Sequence, residues 1–251
     1  MVMRIIRNSV AIRAPHGQLL NLSAGHTQWA QALLWCAGCG YWRQPDAYDY
    51  SNNVVNPLVR ILNSTLFLWL ILALPALWML NAWRAGDLFY GEVLHLTGEY
   101  SARLMMLTMA ITPFRLMFPN AGWPNWLLHR RRYLGVASFL YGLMHTLVYI
   151  DRKRDLSLIL EEGADFAMWT GWVALFVFAA LAVTSNDASV RLLRRTWKKL
   201  HRYIYLAALL VFAHWVFAAF DFIPGLVHFA ILMSLETYRL WKRGKLGSHA
   251  T

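Results

Sequence analysis

The sequence predicts an all-α integral membrane protein, folded as a bundle of six transmembrane helices. Hydrophobic residues make up 58% of its 251 residues and charged residues only 15%, whereas soluble domains contain about half and about a quarter. Apolar runs of about 20 residues recur along the chain, the length of helix that crosses the hydrocarbon core of a bilayer. Thirteen tryptophans and eleven tyrosines suit a protein with two membrane interfaces, where amphipathic rings collect.

The six apolar runs are the predicted spans. They are, in order, Leu58–Ala82, Tyr100–Phe118, Tyr133–Ile150, Phe166–Thr184, Leu200–Phe220 and Phe222–Leu240. The first is the most uniformly apolar. The sixth is separated from the fifth only by Asp221, and Pro224-Gly225 supplies a turn signal there. Pro75 and Pro113 are expected to kink or end their helices.

Basic residues are concentrated in alternate loops, and this sets the predicted orientation. Residues 113–132, residues 185–199 and the tail after Leu240 are rich in arginine and lysine, while residues 87–99 and 151–165 are acidic or mixed. By the positive-inside rule the basic segments face the cytoplasm, so both termini are predicted to be cytoplasmic. The net charge of +11 follows from this pattern. The expected partner of these charges is therefore membrane lipid and not nucleic acid.

Two histidines are predicted to lie at the same depth in spans that run in the same direction. His145 lies 13 residues beyond Arg132, and His214 lies 15 residues beyond Lys199. At 1.5 Å per residue, both are roughly 20 Å from the cytoplasmic side. Two neutral imidazoles at one level can bind one iron from both sides, which is an established form of haem ligation. The alternative is a pair of core histidines that are hydrogen-bonded to backbone or water.

His201 lies near the cytoplasmic end of the fifth span, where a second haem is an alternative. That haem would need a partner near the start of the third span, and Arg131 stands at this level instead. Thirteen residues advance an ideal helix by about 220°, so His201 and His214 do not share a face of a straight helix. Arg131 suits a propionate, because guanidinium matches planar carboxylates. We expect one outer haem, with His201 and Arg131 lining a cytoplasm-side cofactor or quinone site; an interfacial role for His201 is the other alternative.

Motifs of other chemistries are absent or isolated in the sequence. It contains no Walker loop, GxGxxG, GxSxG or HExxH, so we predict no catalytic residue and assign any nicotinamide chemistry to another protein. Cys36 and Cys39 form a lone CxxC without a second pair for zinc. Its expected role is structural or incidental.

Several spaced motifs resemble the ferric-reductase-like membrane domain. They are His95-Leu96-Thr97-Gly98, Ile111-Thr112-Pro113, Arg131-Arg132-Tyr133-Leu134-Gly135, Leu143-Met144-His145, Thr184-Ser185, and Trp197-Lys198-Lys199-Leu200-His201-Arg202-Tyr203-Ile204-Tyr205 followed by His214. Within that family the sequence is similar to the MsrQ (YedZ) type, the haem-binding membrane subunit of a bacterial methionine sulfoxide reductase system. The similarity extends from about Asn56 to Trp241.

The resemblance implies a cytochrome b-like protein of the bacterial inner membrane that carries haem b. His145 and His214 match the haem-ligand positions, and His201 matches the third histidine of the family. The implied electron donor is a quinol or a cytoplasmic flavin reductase. The implied acceptor is a periplasmic molybdopterin enzyme that repairs oxidised methionine. FMN is also associated with the family, although no residue here gives it a position. The chain is then an electron-transfer subunit of an oxidoreductase system rather than its catalytic subunit.

The predicted domains follow from this match. Residues 56–241 form the six-span haem-binding domain, and residues 242–251 form a basic cytoplasmic tail. Residues 1–55 depart from the family pattern and are expected to be an interfacial or poorly ordered extension, a docking segment, or the product of an upstream start. Two other functions stay open: electron transfer to another acceptor, as in ferric-chelate reductases, and a structural subunit of a larger membrane complex with degenerate haem sites.

Overall fold

The chain divides into two units by its internal contacts, Met1–Pro57 and Leu58–Thr251. The computed structural model describes the strand segments 3–6, 9–13 and 19–23, residue 61, and residues 63–219 and 221–248. Cys36 and Cys39, for which an incidental role was predicted, lie outside the described residues.

The described part of the first unit is an antiparallel sheet of three strands. The strands are β1 (Met3–Ile6), β2 (Ser9–Arg13) and β3 (Leu19–Ser23), in the order β1-β2-β3. Met3 pairs with Ile12, and Ser9 pairs with Ser23. Aliphatic and β-branched residues such as Ile5, Val10 and Ile12 favour a pleated surface over a helix. This sheet was not part of the prediction of residues 1–55 as an interfacial or poorly ordered extension.

The second unit is helical in its described residues, which confirms the all-α prediction for this part of the chain. Its helices are α1 (Thr65–Ala85), α2 (Tyr90–Met117), α3 (Trp123–Lys153), α4 (Leu156–Glu162), α5 (Phe166–Val183), α6 (Asp187–Leu200), a 3-10 turn (His201–Tyr203), α7 (Ile204–Ala218) and α8 (Ile223–Ser248). In the described residues, each predicted span overlaps one of the long helices, and the fifth also includes the 3-10 turn. The α4 and α6 segments were not predicted.

Within the described residues, four helical stretches are long and apolar enough to cross a membrane: Thr65–Ala85, Trp123–Lys153, Phe166–Val183 and Asp187–Ala218. This makes the protein an integral membrane protein. The predicted second and sixth spans lie in α2 and α8, which are not among these four. Each of these two helices carries an acid–base pair, which lies at the start of the predicted span in α2 and within the predicted span in α8. Glu99 lies 3.0 Å from Arg103 in α2, and Glu236 lies 2.7 Å from Arg239 in α8.

Local sequence signals set several helix ends. The Ser64 side chain accepts a hydrogen bond from the Phe67 N–H and caps the start of α1, and Gly86 ends that helix in the left-handed conformation, with φ of 83°. Pro124 lies in the first turn of α3, where its missing N–H costs nothing. Pro75 lies inside α1, which continues through it instead of ending there.

The helices pack as two main pairs, α2 with α3 and α5 with α7, and α8 lies against α2. Reciprocal hydrogen bonds join the first pair: Ser101 Oγ donates to the Ser138 carbonyl at 2.9 Å, and Ser138 Oγ donates to the Ser101 carbonyl at 2.8 Å. Small side chains allow this close approach of two backbones. The buried core lies where α2, α5, α7 and α8 meet, and it includes Met105, Phe178 and Phe212. The two pairs position the histidines described next.

Candidate functional site

The structure brings the side chains of His145 and His214 opposite each other in the interior of the bundle. His145 lies on α3 and His214 on α7. Their ring centroids are 6.1 Å apart, and the ring planes are nearly perpendicular, at 86°. The two residues meet at one level, as their distances from the basic segments predicted.

Each imidazole is held by a backbone carbonyl of a neighbouring helix. His145 Nδ1 lies 2.8 Å from the Leu94 carbonyl of α2, and His214 Nδ1 lies 2.6 Å from the Ala167 carbonyl of α5. A carbonyl oxygen only accepts, so each Nδ1 must carry the proton. In a neutral ring this leaves the lone pair on Nε2, the nitrogen free to bind a metal.

Glycines make room for both rings. A Cβ at Gly98 of α2 would lie 3.1 Å from His145 Nδ1, and a Cβ at Gly171 of α5 would lie 2.8 Å from His214 Nδ1. The second distance is shorter than real Cβ contacts, so a side chain at position 171 would displace the imidazole. The two histidines are therefore seated against backbone that has no side chain at the point of contact.

The residues present fit a haem iron. A metal–imidazole bond is about 2 Å long. When one metal binds two imidazoles on opposite sides, the distance between the ring centroids is the sum of two such bonds and half the width of each ring, about 6 Å. That length matches the 6.1 Å between ring centroids. In the described part of the chain, His, Cys, Asp and Glu form no group of three or more that could hold a bare metal ion. Two opposed imidazoles suit an iron whose other ligands come from a porphyrin.

His201 lies apart from this pair, in the 3-10 turn between α6 and α7. Its Nδ1 lies 3.2 Å from the Trp197 carbonyl, and its Nε2 lies 3.4 Å from Ser185 Oγ. Its ring stacks on Trp197, with centroids 3.9 Å apart and planes at 25°. Both nitrogens of His201 thus have a neighbour within this chain, whereas the Nε2 atoms of His145 and His214 have no hydrogen-bond partner among the described residues.

Arg131 of α3 lies in the same region as His201, as the sequence predicted. It is within electrostatic range of His201 and also of Tyr205, Glu236 and Arg239. Arg239 donates a hydrogen bond to the Tyr205 hydroxyl at 2.6 Å. The structure therefore surrounds Arg131 with a small polar cluster at this end of the bundle.

The buried acid–base pair of this cluster was missed in the sequence. The Glu236 and Arg239 side chains are 10% and 11% exposed, and their charged atoms are 2.7 Å apart. They lie three residues apart in an otherwise apolar run, so their presence within a predicted span was the available signal. Their partner, Arg131, lies more than a hundred residues away and could not be inferred from spacing.

The other three histidines among the described residues have local partners. His95 lies 3.4 Å from Glu99, one turn along α2. His129 Nδ1 lies 2.7 Å from the Asn125 carbonyl, and His228 Nδ1 lies 2.7 Å from the Pro224 carbonyl. His228 also packs against Trp215, with ring centroids 5.3 Å apart. The packing role expected for His228 agrees with these contacts.

A cavity of about 650 Å³ lies beside the carbonyl that holds His145. Leu94 and Met168 line it. The Leu94 carbonyl accepts from His145, and Met168 follows Ala167, whose carbonyl accepts from His214. Its other lining side chains, apart from Leu158, are aromatic or charged, and they include Tyr90, Tyr149 and Arg152. The cavity lies at the end of the bundle that is predicted to be external.

The family described as ferric reductase like transmembrane component matches residues 97–213. This range includes His145 and His201 and ends one residue before His214. No solved structure matches the chain.

Several proteins that share one name are similar to the chain in sequence. One from Xanthomonas campestris pv. campestris (strain B100) is 34% identical over 156 residues, which are 61% of this chain and 70% of that protein. One from Rhizobium meliloti is 38% identical over 147 residues, 56% of this chain and 66% of that protein. One from Brucella ovis is 31% identical over 183 residues, 69% of this chain and 81% of that protein. Each is named protein-methionine-sulfoxide reductase heme-binding subunit MsrQ.

Proposed function

Because the chain belongs to the ferric-reductase-like family of MsrQ haem-binding subunits, we propose that it is a b-type cytochrome of the bacterial inner membrane. In this proposal it is an electron-transfer subunit and not a catalytic one. It relays single electrons from a quinol or a cytoplasmic flavin reductase to a periplasmic molybdopterin enzyme that reduces methionine sulfoxide. The observation that carries the proposal is the facing pair of imidazoles, each held through Nδ1 by a backbone carbonyl.

His145 and His214 are the proposed axial ligands of one haem b. When bound, the haem supplies the one-electron carrier. The protein contributes the ligand atoms, their orientation and the surroundings of the ring. The carbonyls of Leu94 and Ala167 fix the Nδ1–H tautomers, so each Nε2 is available without first losing a proton.

His201 and Arg131 are proposed to line a cofactor site on the cytoplasmic side. Arginine suits a planar carboxylate or a phosphate, and the nearby Arg239 adds a second guanidinium. A haem propionate, a quinone head group or the phosphate of FMN are the ligands that this chemistry accommodates. Both nitrogens of His201 already have protein neighbours, which supports a hydrogen-bonding role over ligation of a second haem.

The acceptor side is proposed to be the opposite end of the bundle. The cavity beside Leu94 lies one helical turn from Gly98, which contacts His145. It therefore brings the molecular surface close to the proposed haem. The name of the relatives, a subunit of protein-methionine-sulfoxide reductase, supports a reductase as the partner that docks at this end.

The proposed topology has six spans, formed by α1, α2, α3, α5, α7 and α8, with both termini in the cytoplasm. It includes α2 and α8 although both carry charges. Each helix has one close acid–base pair, at 3.0 Å in α2, where the Glu99 side chain is buried and Arg103 is half-exposed, and at 2.7 Å in α8, where both side chains are largely buried. Paired charges that face the interior of a bundle are the form in which ionisable residues occur within membranes.

A reduced-minus-oxidised visible spectrum of the purified protein tests this function. The parent is expected to show a b-type band with a haem-to-protein ratio near one. His145→Ala and His214→Ala should each lose most of that band while the protein stays in the membrane. His228→Ala is the matched control, because this histidine also lies in a helix of the bundle but bonds within its own helix.

Each contrary outcome has a distinct meaning. Full haem content in both alanine variants would show that the ligand assignment is wrong. A parent without a b-type band would indicate a structural subunit with degenerate haem sites. A ratio near two that falls to one in His201→Ala would establish a second haem with His201 as its ligand, in place of the single haem proposed here.

A further inference from the structure

The two histidines are seated by the same short arrangement of residues, which occurs once on α2 and once on α5. In each copy a carbonyl accepts the histidine Nδ1–H, a threonine follows three residues later, and a glycine comes next. The copies are Leu94, Thr97 and Gly98 for His145, and Ala167, Thr170 and Gly171 for His214. The two halves of the site are therefore built alike.

The threonine hydroxyl reaches the same carbonyl as the histidine in both copies. Thr97 Oγ1 lies 3.0 Å from the Leu94 carbonyl oxygen, and Thr170 Oγ1 lies 2.8 Å from the Ala167 carbonyl oxygen. Both threonines are fully buried, at 0% and 1% exposure. Their hydroxyls have no access to solvent and donate within the helix.

Three donors thus converge on each of these oxygens. Besides the threonine and the histidine, the helix N–H of the glycine four residues on is directed at the same carbonyl. A carbonyl oxygen has two lone pairs. A hydroxyl that donates there weakens the bond that the oxygen can make to the imidazole N–H. That bond determines how much electron density the imidazole gives to a metal on its other nitrogen.

We propose that Thr97 and Thr170 are positioning residues that set the reduction potential of the bound haem. This rests on the proposed function, because it requires His145 and His214 to bind iron. Each hydroxyl competes for the carbonyl, lowers the basicity of the imidazole and so favours ferrous over ferric iron. Hydrogen bonding around the ligands is one of the means by which a protein sets a haem potential.

The two copies are not equal, and this gives an internal comparison. Thr170 Oγ1 is closer to the shared Ala167 carbonyl, at 2.8 Å, than to the Phe166 carbonyl, at 3.0 Å. Thr97 Oγ1 is closer to the Val93 carbonyl, at 2.8 Å, than to the shared Leu94 carbonyl, at 3.0 Å. The hydroxyl of Thr170 therefore competes more strongly with its histidine.

The test is a spectroscopic redox titration of the purified haem protein and its variants. Thr170→Val removes the hydroxyl and keeps the shape, so the ferric–ferrous equilibrium should move about two- to tenfold toward ferric. Tenfold corresponds to 59 mV for a one-electron couple. Thr97→Val should shift the potential in the same direction by less. Thr170→Ser keeps a hydroxyl at this position and should have the same reduction potential as the parent.

Thr108→Val is the matched control. Thr108 is a buried threonine of α2 whose hydroxyl donates to the Leu104 carbonyl of the same helix at 2.7 Å. Among the described residues, that carbonyl holds no histidine. This variant should retain the parent potential. If Thr170→Val does not differ from Thr108→Val, or if its potential rises, the proposal is wrong. If Thr170→Val does not retain haem, the reduction potentials of Thr97→Val and Thr108→Val are compared instead. Equal potentials, or a higher one in Thr97→Val, would then contradict the proposal. A parent that binds no haem would refute the proposed function itself, which is a separate result.

Discussion

At the scale of single residues, the site depends on two glycines without side chains as much as on the histidines. The His214 imidazole approaches α5 so closely that only glycine fits beneath it, and the His145 imidazole leaves little room for a side chain on α2. The sequence predicted the histidines, because an imidazole inside an apolar run is conspicuous and its depth can be counted from the basic segments. The carbonyls of Leu94 and Ala167 could not be predicted in the same way, because every residue has a carbonyl and only the packing of two helices selects one.

Substituting the two glycines should therefore reduce haem binding to different degrees. Gly171→Ala would place a Cβ 2.8 Å from His214 Nδ1, so the imidazole must move and we expect most of the haem to be lost. Gly98→Ala leaves 3.1 Å to His145 Nδ1 and should lose less.

The haem content of the purified variants measures this difference. Gly135→Ala, whose Cβ would meet only Thr108 Cγ2 at 3.9 Å, is the control and should equal the parent. Equal retention of haem in all three variants would contradict the role given to these contacts.

At the scale of helices, the lengths of the apolar runs gave the positions of the spans but not their ends. The predicted third span was Tyr133–Ile150, while α3 extends over Trp123–Lys153. Hydropathy marks the part of a helix that lies in hydrocarbon, and a helix continues beyond it wherever polar residues favour helical backbone. α4 and α6 were missed because they are short or amphipathic, and neither property produces an apolar run.

One hydroxyl of α3 is hydrogen-bonded to the backbone of α1. Tyr141 donates to the Leu72 carbonyl at 2.8 Å and accepts from the Ala76 N–H at 3.1 Å. Leu72 and Ala76 are the two residues that a helical hydrogen bond would otherwise join, and Pro75 lies between them. The tyrosine hydroxyl is thus inserted into the backbone ladder of α1.

Tyr141→Phe should destabilise the protein by about 1–3 kcal/mol, because it removes the hydroxyl partner of two half-buried backbone groups. Thermal unfolding in detergent measures the change. Tyr133→Phe is the control, since Tyr133 contacts α1 through its ring, at 6.1 Å from Trp69. A stability equal to that of the parent would show that the hydroxyl contributes nothing to this contact.

The short helix α4 is attached to the end of α3 by a carboxylate. Glu162 forms an ion pair with Lys153 and accepts a hydrogen bond from the Tyr149 hydroxyl at 2.7 Å. Lys153, followed by the Tyr149 hydroxyl, lowers the pKa of Glu162 below its ordinary value of 4.5. A lowered pKa means that the attachment is fully present above pH 4.5 and is lost as the pH falls through the lower, folded value.

The protection of residues 154–165 against hydrogen exchange, taken relative to the intrinsic exchange rate at each pH, should therefore be constant above about pH 5 and should decrease in acid. Glu162→Gln should show the faster exchange already at neutral pH, because the amide carries no charge. Glu161→Gln, at the neighbouring exposed position, should behave as the parent does. An identical pH profile for Glu162→Gln and the parent would contradict this attachment.

At the scale of the whole molecule, what decides the electron path is the number of crossings. The sequence predicted six spans, and the structure has four stretches that are apolar enough to cross together with the two charged helices α2 and α8. Sequence alone could not settle the status of α2 and α8. A hydropathy scale assigns each charged residue one value for its type. The free-energy cost of placing that residue in a membrane depends instead on whether an oppositely charged partner lies beside it.

Reporter fusions in two loops distinguish six crossings from four. If α2 crosses, residues 86–89 and residues 154–165 are separated by two spans and lie on the same side, which the basic segments predict to be external. If α2 does not cross, only α3 separates the two loops and they lie on opposite sides. We expect both fusions to be active in the external form, and a fusion after Lys245 to be active only in its cytoplasmic form. Opposite readings for the two loops would remove α2 from the membrane. Readings inverted at all three places would reverse the direction in which the facing histidines carry electrons.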